Sequence, residues 1–218
     1  MAKTSEKQIA SEVAENELTL NNALSVAEIL GLISPRGYPA ERLEEGLVIT
    51  RTVRSKQAAK DGALGAQTAA TAGFQAAFGG ARMGYADFRE TARAHYGSAV
   101  ESPGPWLALG LAGSAPTDTE GFLGAAYACF DNALADEATL ADLTIYGYDA
   151  AGIQAERAKV EGMDAANQAQ ERAKGAKLRA TAERDEAYRA MKRWMGAFKR
   201  IVRRVLKDRP DLLVKLGL

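Results

Sequence analysis

The sequence predicts an all-α protein built from two pseudo-symmetric repeats. Three observations carry that prediction. The chain repeats itself at an offset of 110 residues: Gly37-Tyr38 recurs as Gly147-Tyr148 and Asn22-Ala23-Leu24 as Asn132-Ala133-Leu134, while Leu30, Phe88 and Arg93 meet Leu140, Phe198 and Arg203. Self-similarity at one fixed period is the mark of a duplicated architecture. Proline is confined to Pro35 and Pro39, then Pro103, Pro105 and Pro116, then Pro210. The proline-free stretches between are rich in Ala, Glu, Lys, Arg and Gln, all good helix formers, and hold no alternating strand-like segments.

Each repeat is expected to begin with short helices, over 5–33 in the first copy and 118–145 in the second. Thr117-Asp118-Thr119-Glu120 resembles a capping box ahead of Phe122-Leu123. A Gly-Tyr turn follows at 37–38 and 147–148. Pro39 then opens a helix without losing a hydrogen bond, and Asp149 places negative charge at the matching helix start. The next element is one very long helix per copy, about 40–97 and about 149–208. In the first copy six glycines (62, 65, 73, 79, 80 and 84) weaken that helix, but their second-copy counterparts are Arg172, Gly175, Glu183, Arg189, Ala190 and Trp194. Only one glycine is shared and no turn dipeptide intervenes, so a continuous helix is expected in both. A Pro-led apolar tail closes each copy, Pro105 to Leu111 and Pro210 to Leu218, both ending Leu-Gly-Leu. The repeats are thus 1–111 and 112–218, expected to intertwine as one structural unit.

Alanines retained in both copies suggest how the long helices meet. Ala59, Ala63, Ala66, Ala70 and Ala77 match Ala169, Ala173, Ala176, Ala180 and Ala187. Their spacing of four, three, four and seven is that of a coiled-coil seam. The expectation is an Ala-rich seam along which the two long helices pack closely.

Chemistry-bearing residues are few. His95 is the only histidine, so no two-histidine metal site can form within one chain. It falls near a helix end, where a cation suits the dipole. Cys129, the only cysteine, sits in the apolar run Ala-Tyr-Ala-Cys-Phe and reads as a small buried hydrophobe. Phe78-Gly79-Gly80-Ala81-Arg82-Met83-Gly84 has the glycines of a phosphate loop, but no strand precedes it and no Gly-Lys-Ser/Thr follows. No catalytic residue, cofactor site or metal ligand set is therefore assigned, and the chain is expected not to be an enzyme.

Charge carries the one pattern that points to a partner. Formal net charge is zero, but its distribution is uneven. No Lys or Arg occurs between Arg93 and Arg157, a span that includes Asp131, Asp136, Glu137 and Asp142. The segment 184–209 reverses this, with Lys199, Arg200, Arg203 and Arg204 among ten cations. These eight residues are candidate interface residues; Trp106, Trp194 and Tyr146 are candidate aromatic contacts. Complementary charge steers association and fixes its register. The expected function is that of a structural or scaffold protein associating with itself, into a filament, tube or lattice. The alternative is a helical module that binds nucleic acid or an anionic membrane through 184–209. The polar start Met1-Ala2-Lys3-Thr4-Ser5 and the lack of a long apolar run predict a cytoplasmic protein with no transmembrane segment.

Gly147-Tyr148, Ala165-Ala166-Asn167-Gln168-Ala169-Gln170, Gly175-Ala176 and the closing Arg209-Pro210-Asp211-Leu212-Leu213 with Leu216-Gly217-Leu218 together resemble a bacterial family of internally duplicated, long-helix proteins. The resemblance spans most of the chain and is stronger in the second copy. It implies the fold; the family carries no established activity, so no site residue follows from it.

Overall fold

The computed structural model describes residues 5–218, and the polar residues 1–4 of the sequence lie outside the described residues. The protein is all-α: among the described residues there are eight α-helices, one 3-10 turn and no strand. The helices are α1 (Glu6–Ser25), α2 (Ala27–Ile33), α3 (Ala40–Tyr96), α4 (Pro103–Ala108), α5 (Thr119–Ala135), α6 (Glu137–Thr144), α7 (Ala150–Val205) and α8 (Pro210–Leu216). Among the described residues no helix is long and apolar enough to cross a membrane.

Local chemistry sets these boundaries. Ser5 caps α1, its hydroxyl accepting from the Gln8 amide at 3.2 Å, and Asp118 caps α5 through the Gly121 amide at 2.7 Å. A single extended residue separates α1 from α2 at Val26, and another separates α5 from α6 at Asp136. The carboxylate of Asp136 turns that break into a cap by accepting from the amide and the hydroxyl of Thr139. Gly37 and Gly147 end the short-helix regions at φ 87° and 89°, a left-handed backbone that side chains with a Cβ rarely adopt. The tyrosine after each then donates its amide back to Ile33 or Leu143, which swings the chain into the long helix. Both long helices are continuous, α3 through all its interior glycines.

The chain forms two compact units, Met1–Gly65 with Gly175–Leu218 (unit 1) and Ala66–Lys174 (unit 2). In unit 1 the start of α3 packs antiparallel to the end of α7. The Lys56 ammonium meets Glu183 at 2.7 Å, the Arg184 guanidinium donates to Gln57 at 3.1 Å, and Trp194 lies against Gly46. α1, α2 and α8 close over this pair around Leu20, Ile29, Leu43, Met191, Phe198 and Leu212, all buried. In unit 2 the end of α3 pairs with the start of α7 in the same sense, and Gln170 donates to Thr71 at 3.2 Å. Its core is aromatic. Phe122 and Phe130 on α5 meet Tyr85 edge-on, and Phe130 and Tyr148 meet Phe88 likewise, with centroids 5.0–5.9 Å apart. Such geometry adds about 0.5–1.5 kcal/mol per pair beyond area burial.

Candidate interaction surfaces

The basic segment of α7 has two faces. Tyr188, Met191, Met195, Phe198, Val202 and Leu206 follow helical spacing and are buried in the core of unit 1. The apolar face that would insert into a membrane surface is therefore occupied within the protein. The outer face keeps the cations. Arg189, Lys192, Arg193, Arg200, Arg203, Arg204 and Lys207 are exposed and Lys199 is half-buried. Several are engaged locally: Lys192 lies 4.0 Å from Glu12, Lys207 lies 3.7 Å from Asp208, and Arg189 donates to the Asp185 carbonyl. Among the described residues Lys199, Arg200, Arg203 and Arg204 form no ion pair. Arg209 is the contrast. Asp211 receives it through two parallel hydrogen bonds and Glu28 through a third, which holds its pKa above the usual arginine value.

Where the ridge ends, Leu32 and Arg36 from the α2 turn face Ile201, Arg204, Val205 and Lys207 across a groove of about 710 Å³. Its floor is aliphatic, with Leu32 itself 40 % exposed, and its rim carries three cations and no carboxylate.

The acidic candidates lie in unit 2, and most have work there already. Asp131 accepts from Arg157 at 2.5 Å; that guanidinium also reaches Glu161 and sits over the Tyr127 ring. Asp136 caps α6, and its hydrogen bonds from Thr139 hold its carboxyl below the usual range. Glu137 is exposed in the first turn of α6. Asp142 accepts from the Tyr96 hydroxyl at 3.3 Å and lies 3.4 Å from His95 Nε2, while His95 Nδ1 lies 3.2 Å from the Tyr146 hydroxyl. Beyond this cluster the α6–α7 turn presents Ile145 and Tyr146, 79 % and 52 % exposed. Tyr146 is thus an outward-facing aromatic. Trp194 is not: it wedges between Tyr38, Phe198 and Gly46. Trp106 is half-buried against the unit 2 core.

Leu32 and Arg36 of the groove stand 110 residues before Asp142 and Tyr146, whereas Arg204 and Lys207 stand 110 residues after Ala94 and Gly97. Leu32, Arg36, Lys207 and Ile145 carry no local signal in the sequence that sets them apart, because their exposure is decided by what packs around them. Arg89 and Arg93 donate to the carbonyls of Gly110, Leu111, Ala112 and Gly113, fastening the segment after α4.

The retained alanines take mixed positions. Ala63, Ala70, Ala77, Ala169, Ala173, Ala180 and Ala187 are half-buried, and Ala59, Ala66 and Ala176 are exposed. The inward register of α3 runs one residue further on, through buried Lys60 and half-buried Gln67, and that of α7 through Gln170. Long polar side chains thus share the inward register with the half-buried alanines. Lys60 is stabilised there by Glu6 and Asp61.

One residue bears on reactivity. Burial pushes the Cys129 thiol up to about 12, so it is neutral and unreactive at ordinary pH. Among the described residues no three His, Cys, Asp or Glu side chains converge as a metal ligand set. Comparison of the chain with protein-family models, with curated proteins and with solved structures returns no match.

Proposed function

We propose that this is a non-enzymatic structural protein that associates with itself, the acidic unit of one copy meeting the basic unit of the next. One observation carries the reading: charge is partitioned by compact unit. Unit 1 holds 21 Lys and Arg against 14 Asp and Glu, a formal +7, and unit 2 holds 7 against 14, a formal −7. Zero net charge removes the repulsion that keeps like molecules apart, while opposite poles steer two copies into one relative orientation. A contact that uses different surfaces on its two partners propagates, closing into a ring or growing as a filament.

The test is sedimentation velocity at fixed protein concentration from about 20 mM to about 500 mM salt, across which the screening length falls several-fold. Large species are expected at low salt and monomer at high salt. Reversal of the unpaired cations, R200E/R203E/R204E, takes unit 1 from +7 to +1; it is expected to give monomer throughout. A wild-type chain that is monomeric at every salt concentration overturns the reading. Monomer that is retained on an anionic polymer at low salt transfers the ridge to the alternative role of binding nucleic acid or anionic lipid.

A further inference from the structure

We infer that the self-association contact is a specific docking, in which the Ile145-Tyr146 turn of one copy enters the groove between Leu32, Arg36, Arg204 and Lys207 of the next. This inference rests on the self-association reading and names its surfaces.

The two surfaces match in apolar character and are opposite in charge. The turn offers two large apolar side chains, 79 % and 52 % exposed, beside Asp142, and the groove offers an aliphatic floor beneath three cations with no acid among its lining residues. An aliphatic-aromatic pair this exposed on a single chain costs free energy until it is covered. Tyrosine is a residue type on which binding energy concentrates, with an apolar ring and a polar tip. The cations around the groove complement the Asp142 carboxylate, which also accepts from Tyr96 and lies beside His95. Charge thus sets the approach, and the buried apolar pair holds the complex.

Because each copy of the chain carries one groove and one turn, the contact either closes reciprocally as a two-fold dimer or repeats from molecule to molecule.

The experiment separates this docking from bulk charge attraction. The variant I145D/Y146D removes the apolar turn and makes unit 2 more negative, and the variant L32K spoils the groove floor and makes unit 1 more positive. All three sites are exposed, and far-ultraviolet circular dichroism checks that both variants keep the helical fold. Charge attraction alone would preserve or strengthen assembly in both variants; docking requires both to sediment as monomers at low salt, where the wild type assembles. An equimolar mixture then decides. The first variant keeps a groove and the second keeps a turn, so the mixture should form a 1:1 heterodimer and grow no further. Variants that assemble like wild type, or monomeric variants whose mixture stays monomeric, overturn the docking while leaving self-association standing. A monomeric wild type overturns both.

Discussion

Gly46 and Gly84 show how one packing problem is met by different side chains. A Cβ on Gly46 would fall 2.7 and 2.8 Å from the indole Cζ3 and Cζ2 of Trp194. That indole cannot swing aside, since Tyr38 meets it edge-on at 5.7 Å and Phe198 lies 5.5 Å away. A Cβ on Gly84 would strike the carboxylate of Glu156, whose Oε1 receives Lys159 at 2.6 Å and whose Oε2 is buried without a partner. That side chain is flexible and gains by turning toward water. Overpacking costs about 1–3 kcal/mol, and alanine is about 1 kcal/mol better than glycine in a helix. Gly46→Ala is therefore expected to destabilise, lowering Tm by roughly 2–4 °C for each kcal/mol, and Gly84→Ala to be neutral or stabilising. Scanning calorimetry of the two variants checks the opposite signs. The sequence aligns Gly46 with Glu156 and Gly84 with Trp194, which places a glycine against a large partner in each unit. The pairing becomes legible only once it is known which stretches of α3 and α7 face each other, because no local pattern records it.

At the scale of elements, helix bounds were the most legible feature. The second copy carried the argument: where α3 has a string of glycines, α7 has Arg172, Glu183 and Arg189, so nothing structural requires the chain to turn there. The observed α3 spans Ala40–Tyr96 without interruption. Gly73 and Gly79 are exposed, and a Cβ on either would meet nothing within 4 Å. The double variant G73A/G79A should thus gain helix propensity without steric cost. A stabilisation of about 1–2 kcal/mol is expected, read as a higher urea midpoint at unchanged slope. The helix interface was less legible. Identity between copies drew attention to alanine, and seven of those ten alanines are half-buried; the polar residues that share the inward register, Lys60 and Gln170, differ between the copies and were passed over. A lysine at such a position buries its stem and carries its charge to a carboxylate, and a reading by hydrophobicity assigns it to the surface.

For the molecule as a whole, the uneven charge was legible along the chain, whereas its division into +7 and −7 required the grouping of residues 66–174 as one unit. That grouping depends on antiparallel pairing between residues about a hundred positions apart, such as Thr71 with Gln170. It has a consequence at high pH. In unit 2 burial pushes the Cys129 thiol up to about 12 and raises the phenols of Tyr85, Tyr96, Tyr127 and Tyr148 above their usual value of 10. Each of these groups is favoured in its neutral form by the fold. An unfolded chain releases the thiol proton near 9 and the phenol protons near 10. Above about pH 9 the folded state therefore holds protons that the unfolded state has lost, and stability falls as pH rises toward 12. Below pH 9 both states keep these protons and the contribution is intact. On titration upward from pH 8, tyrosinate absorbance should rise together with loss of helical circular dichroism. A thiol reagent, excluded from Cys129 in the native protein, should label it in the same interval. If the buried phenols ionised near pH 10 with the helices intact, the aromatic core of unit 2 would be open to water, and the packing of Tyr85 and Tyr148 around Phe88 and Phe122 would not hold in solution.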